Sequence, residues 1–333
     1  MQFTNWTMKL PHRRQILHLA AGTAALSVMP HVARAQTYPS RPVRIMVGAA
    51  AGGGIDITAR LVGQWLSERL GQQFIIENRP GAGTNIATEA VVRSAPDGYT
   101  LLLVTPANAI NATLYERLSF NFIRDTAPVG GLIHVPMVVV VNPSLATKTI
   151  PEFIAYAKAN PGKVNMGLGG IGSVDHVAGI LFQKETGTRF EFVPYRGLGP
   201  ALTDLLGGQV QVIFSSIPAA IEYIRAGKLQ ALAVTSAVRA EALPNLPTVE
   251  EFGPGLEASQ WYGIAGPKGT PAAIIDKLNK EISACLADPK MKARLAELGG
   301  MVLAGSPADF AKLIADETEK WGKLIREANI KPE

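Results

Sequence analysis

Residues 43–70, VRIMVGAAAGGGIDITARLVGQWLSERL, decide how the rest of the chain is read. Val43, Ile45, Met46 and Val47 form a short apolar run, which predicts a buried strand. Three alanines and then Gly52, Gly53 and Gly54 follow, so no bulky side chain stands between the backbone and an approaching ligand. Ile55, Ala59, Val62, Leu66 and Leu70 recur at helical spacing, and Gly71 supplies the stop. The first turn of such a helix offers unpaired N–H groups and a partial positive charge, a seat for an anion. A turn that only packs helix on strand would use the same glycines, so both readings stand here. The phosphate templates fit poorly: the third position of G-x-G-x-x-G falls on Ile57, and no Lys-Ser or Lys-Thr follows. A carboxylate asks less of the loop than a nucleotide does.

Toward the start of the chain, residues 1–35 read as an export signal. His12, Arg13 and Arg14 precede an alanine-rich apolar segment over 16–29, and Ala33, Arg34 and Ala35 suit a cleavage site. The segment is too short for a membrane span. Arg13 and Arg14 have a twin-arginine look, and the general secretory route stays open. No cysteine sits at the cleavage point to be lipidated. The expectation is a periplasmic protein whose mature chain begins near Gln36. Cleavage would remove four cations (Lys9, Arg13, Arg14, Arg34) and no anion, so the formal charge of +5 would fall to +1. That balance gives no footing for nucleic-acid binding. The one cysteine, Cys285, allows no internal disulfide and reads as a small packed hydrophobe. A length of 333 residues, 47% hydrophobic and 18% charged, argues for two lobes and against any long disordered tail.

Onward from residue 70, a strand over 74–76, a tight loop through Gly81 and Gly83, a helix over 84–94 and a strand over 99–105 complete a β-α-β-α-β unit. The pattern recurs. A strand over 163–168 leads into Gly169, Gly170 and Gly172, then a helix over 174–185 stopped by Gly187 and a strand over 190–195. A loop at 196–200, a helix over 201–206 and a strand over 209–214 follow. Two similar α/β lobes each carry a glycine loop leading into a helix, and in open parallel sheets such loops hold the ligand. Residues 136–142 (PMVVVVN) predict a strand that crosses between the lobes, with a return near 260–264; paired crossings make a hinge. Helices over 271–287, 289–298 and 307–328 are expected to rejoin the first lobe. The division expected is 1–35 signal peptide, 36–138 plus 258–333 first lobe, and 139–257 second lobe.

Catalytic and metal-binding patterns are missing: there is no H-E-x-x-H, no G-x-S-x-G and no histidine pair at helical spacing. Beyond the export segment only His134 and His176 remain. His134 reads as packed or loop-exposed, whereas His176, just after the second glycine loop, is a candidate ligand contact. Asp56 is read as capping its helix or ordering a bridging water, with direct contact to a cationic ligand group as the other choice. Ser173 can donate a hydroxyl, Asp175 poses the same question as Asp56, and Arg196 could meet a second carboxylate. One competitor stands: Gly167-x-Gly169-x-x-Gly172 fits the dinucleotide fingerprint between a strand and a helix, with Arg196 after the next strand.

The segments YPSRPVRIMVGAAAGGGIDITAR, ENRPGAGTNIATEAVVRSAPDGYTLL, GGIGSVDHVAG, VPYRGLGPALTDLLGGQVQVIF, LPNLPTVEE and WYGIAGPKGTP together resemble the Bug family, the extracytoplasmic solute receptors of tripartite tricarboxylate transporters. The resemblance implies a two-lobed α/β fold of the type II periplasmic binding protein kind that closes on a small carboxylated solute. The loops over 49–56 and 169–175 would hold one carboxylate, partly through water. Where relatives often carry Pro-Phe after the first strand, this chain has Ala49 and Ala50, which bears on ligand size. The candidate ligand-binding set is Ala50, Gly53, Gly54, Asp56, Thr105, Asn108, Gly169, Gly172, Ser173, Asp175 and Arg196, with no catalytic or metal residue and no cofactor. The expected partners are a small organic acid or amino acid and membrane transporter subunits, with no nucleic acid and a monomeric state. An exported nucleotide-dependent oxidoreductase and a two-lobed sensor for a membrane kinase are the alternatives.

Overall fold

The computed structural model describes Gln2 and residues 38–332 apart from Arg196 and Pro254. The expected export segment, save Gln2, and the candidate Arg196 therefore lie outside the described residues. Pro39–Glu333 form one unit. Its elements run β1 (Val43–Val47), α1 (Gly54–Leu70), β2 (Phe74–Asn78), α2 (Asn85–Val92), β3 (Thr100–Val104), α3 (Pro106–Leu114), α4 (Phe122–Asp125), β4 (Thr126–Val141), α5 (Ile150–Ala159), β5 (Val164–Leu168), α6 (Val174–Thr186), β6 (Phe190–Pro194), α7 (Leu198–Leu206), β7 (Val212–Ser216), α8 (Ile217–Arg225), β8 (Gln230–Val234), β9 (Ser259–Pro267), α9 (Ala272–Ala287), α10 (Pro289–Glu297), β10 (Met301–Val302) and α11 (Pro307–Glu327).

The duplication seen in the sequence is a duplication of topology. β1 pairs in parallel with β2 on one side and β3 on the other, and β5 pairs in parallel with β6 and β7 in the same way. Each lobe thus presents its glycine loop at the carboxyl end of a central strand, where parallel sheets leave room for ligands. In the first lobe the apolar side chains of Met46, Leu102 and Val104 pack with Val91 of α2 and Trp261 of β9.

β4 belongs to both sheets. Its residues 126–136 pair antiparallel with β9, and residues 137–141 pair antiparallel with β7 and β8. Along its second half the side chains alternate between two cores: Met137, Val139 and Val141 join Phe153, Phe182 and Phe214, while Val138 and Val140 join Leu202, Leu205 and Ile213. Burial on both faces is why this stretch reads as an unbroken apolar run. The chain returns where the Ala258 N–H donates to the Thr235 carbonyl and Ser259 pairs with Pro136. The result is two α/β lobes joined by two crossing segments.

Helix α11 runs beside the join. Phe310 and Ile314, near its start, pack with Met46 and Trp261, whereas Trp321, Leu324 and Ile325, near its end, pack with Phe153 and Phe182. Between them the buried Glu317 accepts from two indoles, Trp261 Nε1 at 3.0 Å and Trp321 Nε1 at 2.8 Å. One carboxylate oxygen thereby satisfies two buried donors on different elements. Cys285 is fully buried in α9, and burial, helped by Asp288, pushes its thiol up to about 12, so it packs as an inert hydrophobe. Among the described residues no helix is long and apolar enough to cross a membrane.

Candidate functional site

The first glycine loop is pinned from behind by Asp56. This side chain, 2% exposed, accepts from the Gly52 N–H at 2.9 Å, Arg60 Nε at 2.9 Å and Asn78 Nδ2 at 2.9 Å. Asn78 Nδ2 also donates to the Ala49 carbonyl at 3.0 Å, so strand β2 holds the start of the alanine run while Asp56 holds Gly52 at its end. Burial alone would raise the Asp56 pKa, but the bonds from Arg60, Gly52 and Asn78 outweigh it and the carboxyl is held below its ordinary value. Gly52 has φ of +88°, a conformation other residues rarely adopt, and it lets the N–H turn inward to Asp56.

Because Asp56 faces back into the loop, it does not cap its own helix. α1 starts at Gly53 with no side-chain cap, and Gly53, Gly54 and Ile55 line an open cavity. A Cβ added to Gly53 or Gly54 would meet nothing within 4 Å.

The second glycine loop is closed on itself. The Gly169 N–H donates to Asp175 at 2.6 Å, the Gly172 N–H to His176 Nδ1 at 3.0 Å, and Ser173 Oγ donates to the Gly170 carbonyl at 2.6 Å. Ser173 Oγ also caps α6 by accepting from the His176 N–H at 3.4 Å. Asp175 is 4% exposed, and burial raises its pKa despite the bonds from Gly169 and Ser173. Burial lowers His176 to about 4, so the imidazole is neutral, set edge-on to Phe192 with 5.0 Å between ring centroids. The dinucleotide fingerprint at 167–172 is therefore a sequence match without the chemistry: its first-turn donors serve its own helix, and a diphosphate would meet the Asp175 carboxyl.

Two cavities lie on either side of the Gly48–Ala49 peptide. The larger, of about 670 Å³, is walled by Ala49, Ala50, Gly53 and Gly54 from the first lobe, Ile133, Val135, Gln260 and Tyr262 from the crossing strands, and Gly197, Leu198, Ser216 and Pro218 from the second lobe. Three helices start on it: α1 at Gly53, α7 at Gly197 and α8 at Ser216, and none has a side-chain cap. Each helix N-terminus carries roughly half a positive charge, so the cavity is electropositive although none of its described lining residues is charged. The smaller cavity, of about 500 Å³, is walled by Gly48, residues 81–84, Ala107 and Asn111 of the first lobe and residues 169–173 of the second.

Ala50, Gly53 and Gly54 thus fall in the larger cavity and Gly169, Gly172 and Ser173 in the smaller. Asp56, Asp175, Thr105 and Asn108 are buried behind the walls. Asn108 accepts from the Thr105 N–H at 2.8 Å and donates to Thr84 at 3.1 Å and Thr88 at 2.8 Å, so this pair positions the loop over 81–84. Arg196 is outside the described residues, next to Gly197. Residues of the larger cavity outside the sequence candidates include Ile57, Ile133, Val135, Leu198, the start of α8, the Gln260–Tyr262 pair and Leu298; Pro218 at the second position of α8 was the signal for that helix start.

The model of a family described as "Tripartite tricarboxylate transporter family receptor" matches residues 58–330. The chain belongs to this receptor family. The receptor is 38% identical over 300 residues to Protein BugT of Bordetella pertussis, covering 89% of this chain and 92% of that protein. R. palustris Rpa4515 with adipate superposes with a TM-score of 0.79 at 34% identity, over 89% of this chain and 100% of that one. MatC from Rhodopseudomonas palustris with bound malate superposes with a TM-score of 0.75 at 31% identity, over 86% of this chain and 100% of that one. The fold is that of the two-lobed periplasmic binding proteins, and the receptor binds solute without catalysis. The family overturns the oxidoreductase alternative, in agreement with the closed loop at 167–172.

Proposed function

We propose that the receptor captures a small carboxylated solute in the larger cavity and delivers it to a tripartite tricarboxylate-type transporter. The observation that carries this reading is the convergence of three uncapped helix N-termini, from both lobes, on one cavity. One carboxylate accepts from the first turn of α1 while the second-lobe helices close on it, so that hinge closure and anion capture are one event. The adipate and malate held by two relatives support a carboxylate. The lobes divide as 36–138 plus 258–333 and 139–257. The protein acts in the periplasm as a monomer, after cleavage near Ala35.

A thermal-shift screen of organic acids on the purified protein tests this. A ligand at a hundredfold excess over Kd stabilises the native state by roughly 2.7 kcal/mol, enough to raise Tm by several degrees. NAD and NADP should give no shift. A shift with either nucleotide and with no organic acid would sink the reading.

A further inference from the structure

The lining of the larger cavity narrows the class of solute. Beyond the helix N-termini its walls are alkyl groups: Ile57, Ile133, Val135, Leu198, Pro218 and Leu298. No described lining residue carries a charge of either sign. Asp56, 2% exposed behind the first loop, is engaged by the Gly52 N–H, Arg60 and Asn78 and is not among the residues that line the cavity, so it is not presented to an ammonium group there. Three helix N-termini would repel that ammonium. The polar pair in the wall is neutral: Tyr262 donates its hydroxyl to Gln260 Oε1 at 2.6 Å, and burial pushes its pKa upward, which leaves the Gln260 amide nitrogen as a donor.

We infer that the solute is an organic acid with a carboxylate on an apolar body and no ammonium group. This rests on the receptor reading above and sharpens it. The carboxylate takes the N–H groups at the start of α1, and the body lies against the alkyl walls. An ammonium group there would lose its hydration with no anionic side chain among the described walls. Each methylene buried there strengthens binding by about fourfold, so affinity follows chain length until the walls are filled.

The experiment is a matched calorimetric series on the purified protein. Hexanoate and norleucine share six carbons and differ by the added ammonium group; 3-phenylpropionate and phenylalanine repeat the test on an aromatic body. Hexanoate and 3-phenylpropionate should each bind at least a hundredfold more tightly than the amino acid on the same body. Butyrate to hexanoate should strengthen by about fourfold per methylene. Gly54→Val should remove every response, which ties the series to this cavity. Leu298→Asp, which sets an anion in the alkyl wall, should move the hexanoate-to-norleucine ratio at least tenfold toward norleucine. Norleucine binding as tightly as hexanoate would overturn the inference and leave the receptor reading intact. If no carboxylate binds, the receptor reading fails first and takes the inference with it.

Discussion

The two glycine loops share a pattern of strand, glycines and helix with an aspartate in the first turn, yet they put it to opposite uses. In the first, Asp56 reaches back to Gly52 and is met by Arg60 and Asn78, so the start of α1 stays open to the cavity. In the second, Ser173, Asp175 and His176 fold over their own loop and take up its donors. The difference teaches that a glycine-rich turn is free to serve as an anion seat only when the residues after it leave the N–H groups alone. Glycine counts do not reveal this; the reach of the following side chains does.

The largest expected effect comes from filling the open loop. Gly54→Val puts its side chain into empty space, so the protein should fold normally, while calorimetry should show at least a hundredfold loss of carboxylate affinity. The same change at Gly172, where φ is +75° and Leu114 Cδ2 lies 2.3 Å from an added Cβ, should cost folding instead. Equal affinity in folded Gly54→Val would erase the distinction.

Removing the two aspartates should separate the loops next. Asp56→Ala leaves the Gly52 N–H and the Asn78 amide without their acceptor and should lower stability by about 2–4 kcal/mol in urea unfolding. Arg60 is half exposed and adds little to that cost. Asp175→Asn keeps an acceptor for Gly169 and removes a carboxyl that burial disfavours when charged, so it should be neutral or stabilising at pH 7.

A pH series tests the closed loop. The unfolded His176 titrates near 6.5 and the folded one near 4, so the unfolded chain binds the extra proton between those values. Its contribution is complete above pH 6.5 and is lost as pH falls to 4, by about 3 kcal/mol. Asp175, whose folded pKa is raised, slopes the other way above its ordinary value of 3.8, so the effect is read as wild type minus His176→Asn. The asparagine keeps an acceptor for the Gly172 N–H and should remove that part of the acid sensitivity. An unchanged pH profile would mean that the imidazole is not held neutral.

The smallest effect comes from giving the first loop the cap of the second. Gly53→Ser has room for its side chain and should stabilise α1 by a few tenths of a kcal/mol, while affinity falls about tenfold as the hydroxyl occupies the seat. A gain in stability with no loss of affinity would move the carboxylate away from α1.

Much of the fold was legible because each β-α-β unit announces itself by period and punctuation: the stops at Gly71 and Gly187 fall where the helices end. β4 was legible only over 136–142. Its first half carries Pro128, Gly130, Gly131, His134 and Pro136 and shifts register against β9 at the glycines, so no strand period survives there. Gly131 is required because an added Cβ would lie 2.6 Å from the Leu303 carbonyl, a contact between residues far apart in sequence. The glycine loop that leads into α1 was legible from the first stretch. The starts of α7 and α8 on the larger cavity were not, because their convergence depends on how the two lobes meet.

The carboxylate of Glu317, shared between Trp261 and Trp321, gives the molecule a built-in optical reporter. An anionic charge set against two indoles tunes the colour of their emission, and both rings sit where β9 and α11 pass beside the join between lobes. Of the four tryptophans in the chain, Trp6 lies outside the described residues and Trp65 is on α1, bonded to the Glu281 carbonyl at 3.2 Å. Bending at the join is expected to change the surroundings of these two indoles, so native fluorescence should follow solute capture without a dye.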